Sequence, residues 1–213
     1  MLQFITHPSP QMTLLDEIQR VVDGGCKWVQ LRMKDSTHEE IEETARRAKE
    51  ICSAAECILV VDDHVDIAKS VGLDGVHLGK NDMPPAKARE YLGEEFIIGA
   101  TANTFDDIQE LRHLDIDYIG LGPFRFTSTK EHLSPILGLE GYRDIIARKK
   151  AESINLPIVA IGGITFDDVE ALMQTGVDGI AVSGSIVNAQ NPTDETQRFI
   201  ESLNSIRDKR LQL

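Results

Sequence analysis

Short runs rich in β-branched and apolar residues alternate with longer segments in which apolar positions recur every three or four residues. The short runs fall at residues 3–6, 28–32, 57–62, 75–78, 96–100, 118–121, 158–161 and 179–183. Between and after them lie amphipathic segments at 13–23, 37–54, 65–70, 84–91, 105–114, 141–150, 166–174 and 193–203. Strict alternation of strand and helix predicts a parallel sheet with crossover helices. Eight such units predict a (β/α)8 TIM barrel of the α/β class. A doubly wound open sheet is the alternative, but no Gly-rich dinucleotide turn follows the first strand.

Local signals support these boundaries. Thr37 followed by Glu40 reads as a capping box, and Gly24-Gly25, Gly72, Gly93 and Gly176 stand where helices give way to strands. No linker, charge run or low-complexity tract interrupts the chain, so residues 1–213 are expected to form a single catalytic domain. One connection is out of proportion. Residues 122–138 carry no clear helical period, and loops of that length within a compact domain are usually functional.

Composition then narrows the function. Hydrophobic residues make up 41% of the chain and charged residues 27%, which leaves nothing to treat as disordered. Residues 1–6 have no basic flank or cleavage site, and no stretch approaches a membrane span, so a cytoplasmic protein is expected. Cys26, Cys52 and Cys57 lack the paired spacing of a zinc site and read as reduced structural thiols. A net charge of -13 argues against nucleic acid or an anionic membrane as partner. An enzyme this acidic that handles phosphates must gather its few cations at the site. Both a monomer and a homodimer stay open, since no interface is legible.

In such a barrel the chemistry sits at the C-terminal ends of the strands. The second strand ends Gln30-Leu31-Arg32-Met33-Lys34, and a period of two puts Gln30, Arg32 and Lys34 on the inner face. The third strand ends in Asp62-Asp63, and Asp82 follows the fourth. Carboxylates on neighbouring strand ends suit Mg2+, although each Asp taken singly also reads as a helix cap. His64 and His77 read as rim or core residues. Near the end, Gly162-Gly163 and Ser183-Gly184 follow the seventh and eighth strands, where barrels bind phosphate through backbone N–H groups. Two anion-binding regions on opposite sides of one mouth fit two phosphorylated substrates.

The ordered set Gln30-x-Arg32-x-Lys34, Asp62-Asp63, residues 74–79 with Asp82, Gly122-Pro123 with Thr127-x-Thr129-Lys130, and Ile161-Gly162-Gly163-Ile164 closely resembles the thiamine phosphate synthase family. The resemblance runs from about the second strand to the eighth. It implies a transferase that joins hydroxymethylpyrimidine pyrophosphate to a thiazole phosphate, plain or carboxylated, releasing pyrophosphate by dissociative substitution. Mg2+ is the implied cofactor, held by Asp63 and Asp82. Gln30, Arg32, Lys34 and Lys130 would hold the pyrimidine pyrophosphate, with Asp62 beside them. Thr101 would face the pyrimidine, and Thr127, Ser128, Thr129, Gly163, Ser183 and Gly184 would hold the thiazole phosphate. Arg32, Lys34, Lys130 and Thr101 are the candidate catalytic groups.

Two positions depart from the family pattern: Asp62 stands where Asn is usual, and Thr101 where Ser is common. Two rival readings follow. A thiazole tautomerase is similar to the synthase up to the Gly after strand six, but carries a His where this chain has Pro123. A barrel that binds thiamine-related phosphates without turnover would be favoured by Asp62.

Overall fold

The computed structural model describes residues 1–126 and 135–211. Eight strands, β1 (Leu2–Ile5), β2 (Trp28–Leu31), β3 (Ile58–Asp62), β4 (Gly75–Leu78), β5 (Ile97–Ala102), β6 (Tyr118–Leu121), β7 (Ile158–Ile161) and β8 (Gly179–Val182), form a closed barrel in chain order. Every pairing is parallel. The barrel closes where Gln3 and Phe4 of β1 pair with Ala181 and Val182 of β8.

Nine helices lie among the described residues: α1 (Leu14–Asp23), α2 (His38–Ala54), α3 (Val65–Val71), α4 (Pro85–Leu92), α5 (Phe105–Leu111), α6 (Gly138–Ala151), α7 (Val169–Thr175), α8 (Gly184–Val187) and α9 (Pro192–Leu211). Capping boxes open α1 (Thr13 with Asp16), α2 (Thr37 with Glu40) and α5 (Thr104 with Asp107). Each pairs two orphan N–H groups of the first turn and so fixes where the strand exit turns into helix. Gly72 and Gly176 end α3 and α7 in the left-handed region, which a side chain would make costly. None of the described helices is long and apolar enough to cross a membrane.

Alternate strand residues serve two layers. Phe4, Val29, Leu31, Val61, Val76, Leu78 and Ile98 face outward into the main core beneath the helices. Inside the barrel, Ile5, Trp28, Tyr118, Val159 and Ala181 form a smaller cluster, with Trp28 and Tyr118 edge to face at 4.6 Å. Tyr118 fills the interior at the level of Gly99: a Cβ at position 99 would lie 2.2 Å from Tyr118 Cζ. Cys26, Cys52 and Cys57 are buried free thiols, as expected.

The strand–helix order matches the sequence pattern, with shifts of a few residues at several boundaries and two short additional elements. The last helix runs to Leu211 rather than ending near 203, because Ile206 continues its packed face within an otherwise polar stretch. A 3-10 turn at Phe166–Asp168 precedes α7. The four-residue α8 is too short to leave a periodic signal.

Candidate active site

The polar strand ends converge on one mouth. Arg32 follows β2 directly, and Thr6, just after β1, holds its backbone: Arg32 N–H donates to Thr6 Oγ1 at 2.8 Å, and that hydroxyl donates to Arg32 O at 3.2 Å. Gln30 is buried and donates through Nε2 to Asp62 Oδ1 at 2.7 Å. Arg32 Nε stands 3.5 Å from Asp62 Oδ2. Asp62 therefore sits between an amide and a guanidinium on the neighbouring strand.

Burial pushes the Asp62 carboxyl up to about 6. The Arg32 charge opposes that shift, and the negative charges of Asp82 and Asp63 reinforce it. Asp63 is also raised, by burial and then by the charge of Asp82. These carboxylates are thus close enough to feel one another. Asp63 adopts a left-handed backbone (φ 66°), and its N–H donates to His77 O at 2.9 Å. Asp82 folds back on its own turn, where Oδ2 accepts Gly79 N–H at 2.6 Å. Oxygen-only donors of this kind are what a hard divalent cation takes.

Lys34 differs from the expectation of a uniform inward face. Strand β2 stops at Leu31, so the period of two no longer applies at Lys34, which lies exposed in the turn toward α2. Met33 is partly buried and packs on the core.

Thr101 lies inside β5 rather than past its end. Its Oγ1 is 3.0 Å from His77 Nε2, His77 Nδ1 is 3.0 Å from the Tyr118 hydroxyl, and Gln3 Nε2 donates to that hydroxyl at 3.2 Å. Four strands thereby contribute to one polar chain ending at the mouth. Sequence reasoning missed Gln3 and Tyr118 as parts of it. The available signal was a buried Gln in an otherwise apolar first strand.

The opposite side is built from glycines and short ties. Gly162 and Gly163 have φ of 103° and 67°, and a Cβ on Gly162 would lie 2.8 Å from Pro123 Cα. Gly163 is exposed, and its carbonyl accepts Arg125 Nη1 at 2.9 Å. Arg125 also makes a two-pronged pair with Asp168 at 2.6 and 2.5 Å, which fastens the β6 exit to the β7 exit. Ser185 Oγ donates to Ile164 O at 2.5 Å, tying the β8 loop to the β7 loop. Ser183 Oγ is buried without a hydrogen-bond partner among the described residues, directly before Gly184 and α8. A buried hydroxyl left unpaired costs free energy. Neither Arg125 nor Ser185 was singled out from sequence. Thr127, Ser128, Thr129 and Lys130 lie outside the described residues.

Comparison with known proteins converges on one family. The family model described as thiamine monophosphate synthase matches residues 2–186. A thiamine-phosphate synthase of Bacteroides fragilis is 53% identical over 199 residues, covering 93% of this chain and 98% of that protein. One from Flavobacterium psychrophilum is 45% identical over 191 residues, covering 90% and 93%. Among solved structures, a thiamine phosphate pyrophosphorylase from Pyrococcus furiosus superposes with a TM-score of 0.85 at 31% identity, covering 96% of each chain.

Proposed function

The chain belongs to the thiamine monophosphate synthase family of transferases, and we propose that its barrel mouth joins hydroxymethylpyrimidine pyrophosphate to a thiazole phosphate in an Mg2+-dependent reaction. The observation that carries this reading is the division of the mouth. Arg32 with the Asp62, Asp63 and Asp82 carboxylates occupies the β2–β4 side, and the glycine loops with the unpaired Ser183 hydroxyl occupy the β7–β8 side. Two phosphorylated groups can be held apart there, with the reacting atoms between them. On this reading residues 1–213 act as one catalytic domain on small-molecule substrates.

Asp63 and Asp82 are the residues that would hold Mg2+. Their hard oxygens fit it, and the repulsion that raises Asp63 is relieved by a divalent cation. When bound, it supplies positive charge against the pyrophosphate oxygens as the C–O bond breaks. Gln30, Arg32, Lys34 and Lys130 bind that same group. Among the described residues Arg32 is firmly positioned, because Thr6 fixes its backbone and Asp62 its guanidinium. Charge that grows on the leaving group strengthens these contacts in the transition state, so they accelerate the step rather than merely bind substrate.

Thr101 faces the pyrimidine. Gln3 Nε2 donates to the Tyr118 hydroxyl, which lies 3.0 Å from His77 Nδ1. His77 Nε2 lies 3.0 Å from Thr101 Oγ1, so the imidazole links the buried tyrosine hydroxyl to the threonine hydroxyl and orients it. Gly163, Ser183 and Gly184 on the far side hold the thiazole phosphate, a task the family resemblance also gives to Thr127, Ser128 and Thr129, and so aim its ring nitrogen at the pyrimidine methylene. No protein nucleophile takes part in the step. The work is positioning.

The test is pyrophosphate release from purified protein supplied with Mg2+, hydroxymethylpyrimidine pyrophosphate and either thiazole form, each omitted in turn, with thiamine phosphate identified by mass. Release that requires both substrates supports the reading. Isomerisation of the carboxylated thiazole without coupling would replace it with the tautomerase, and stoichiometric binding without turnover with a phosphate-binding barrel.

A further inference from the structure

Outside the mouth, three potential metal ligands come together on the rim. His38 is the first residue of α2, His64 immediately precedes α3, and Asp66 is the second residue of α3. His38 Nε2 and Asp66 Oδ2 are 2.5 Å apart, and the two imidazoles stand nearly perpendicular with centroids 6.0 Å apart. One ligand atom from each of the three lies within 4.8 Å of the others.

His64 occupies the N-cap position of α3, where Ser, Thr, Asp or Asn would satisfy an orphan N–H, yet its side chain makes no capping hydrogen bond. The helix therefore does not explain the imidazole. A cleft lined by Asp63, His64, Val65, Asp66, Met83 and Tyr91 opens beside the cluster and leaves space for water or a further ligand.

We propose that His38, His64 and Asp66 bind a divalent transition-metal ion of the Zn2+ class, in a site separate from the Mg2+ carboxylates. Two imidazoles and one carboxylate are a common donor set for Zn2+, with the fourth position left to solvent, and imidazole disfavours Mg2+. Bonds of about 2.0–2.1 Å at the tetrahedral angle put ligand atoms about 3.3–3.4 Å apart. The wider separations in the cluster must therefore close by up to about 1.4 Å, while the His38–Asp66 contact opens. Both of those side chains are more than half exposed and free to make that adjustment.

The location gives the ion a purpose. The turn containing Lys34 leads directly to His38, and Asp63 directly precedes His64. An ion on this cluster pins the β2–α2 turn to the β3–α3 turn from outside and braces the two loops that carry the cationic and carboxylate ends of the mouth. His38, His64 and Asp66 are then positioning residues.

The experiment uses chelator-stripped full-length protein in excess Mg2+. Zn2+ is titrated calorimetrically, and Co2+ is followed by its visible absorption. One ion per chain is expected, with a rise in unfolding temperature on Zn2+ addition. His38→Gln and His64→Gln should each weaken binding by about tenfold or more and remove the thermal gain, since even losing a supporting group costs about that much. Their metal-free unfolding temperatures should match wild type. His113→Gln, elsewhere on the surface, and Asp82→Asn should keep the site. Unchanged affinity in His64→Gln would overturn the proposal, as would loss of binding in Asp82→Asn with retention in His64→Gln. Failure to saturate at one ion per chain would do the same.

Discussion

Asp62 on β3 accepts a hydrogen bond from Gln30 on β2 at 2.7 Å, so the carboxylate nearest the proposed pyrophosphate site is committed to its own barrel wall. Its other oxygen faces Arg32 at 3.5 Å. Asp62→Asn retains an acceptor for Gln30 while removing a negative charge beside an incoming diphosphate. Turnover is expected to persist or to rise by up to about tenfold in kcat/KM for the pyrimidine substrate, the scale of one modest charge interaction. Asp62→Ala leaves the Gln30 amide unpaired and should cost about 1–3 kcal/mol of stability. Complete loss of activity in the Asn variant would show that this chain needs the extra carboxylate.

Metal removal and charge deletion should act on the same step. Chelation of Mg2+ is expected to abolish coupling and re-addition to restore it. Asp63→Ala and Lys130→Ala should each lower kcat by about 10²–10³-fold, as removal of one group that stabilises developing charge typically does. Near-normal steady-state turnover in both variants would mean that charge stabilisation lies elsewhere.

Glu17 makes stability depend on pH. It lies on α1 with 1% of its surface exposed, one oxygen accepts His7 N–H at 3.0 Å, and the other has no hydrogen-bond partner. Burial pushes its carboxyl up to about 7, against the hydrogen bond from His7. The folded state therefore holds a proton that the unfolded chain, titrating near about 4.3, releases earlier. Folding carries no penalty below the unfolded value, a growing one as pH rises toward 7, and the full one above it, on the order of 3 kcal/mol. Glu17→Gln should thus gain stability relative to wild type between pH 5 and pH 8, read from urea midpoints. A constant difference across that range would contradict the assignment.

Gly99 is predicted to be intolerant for a steric reason. Its β-carbon would meet Tyr118 at 2.2 Å to Cζ and 2.4 Å to Cε1. Gly99→Ala should destabilise the barrel by about 1–3 kcal/mol or more through overpacking. It should also lower activity, because the displaced ring carries the hydroxyl that orders His77 and, through it, Thr101. Wild-type stability together with wild-type kcat would exclude that link.

Much of this molecule was legible locally. Apolar residues every two or every three to four positions yield the eight units, because burial on one face is imposed residue by residue along each element. Polar residues at the ends of apolar strands, such as Arg32, Asp62 and Asp63, stand out for the same reason. Lys34 shows the limit of that reasoning, since the period of two ends where β2 ends. The four residues of α8 complete barely one helical turn and leave no period to detect. The chain of contacts from Gln3 through Tyr118 and His77 to Thr101 joins β1, β6, β4 and β5, and the His38–His64–Asp66 cluster joins two helix starts. Neither has a sequence spacing to read. Which faces are buried and which strand ends are polar can be read along the chain, because those choices rest on each element's own periodicity. Which polar ends touch depends on the folded barrel, because closure of β1 onto β8 and the stagger of the strands set distances between residues far apart in the chain.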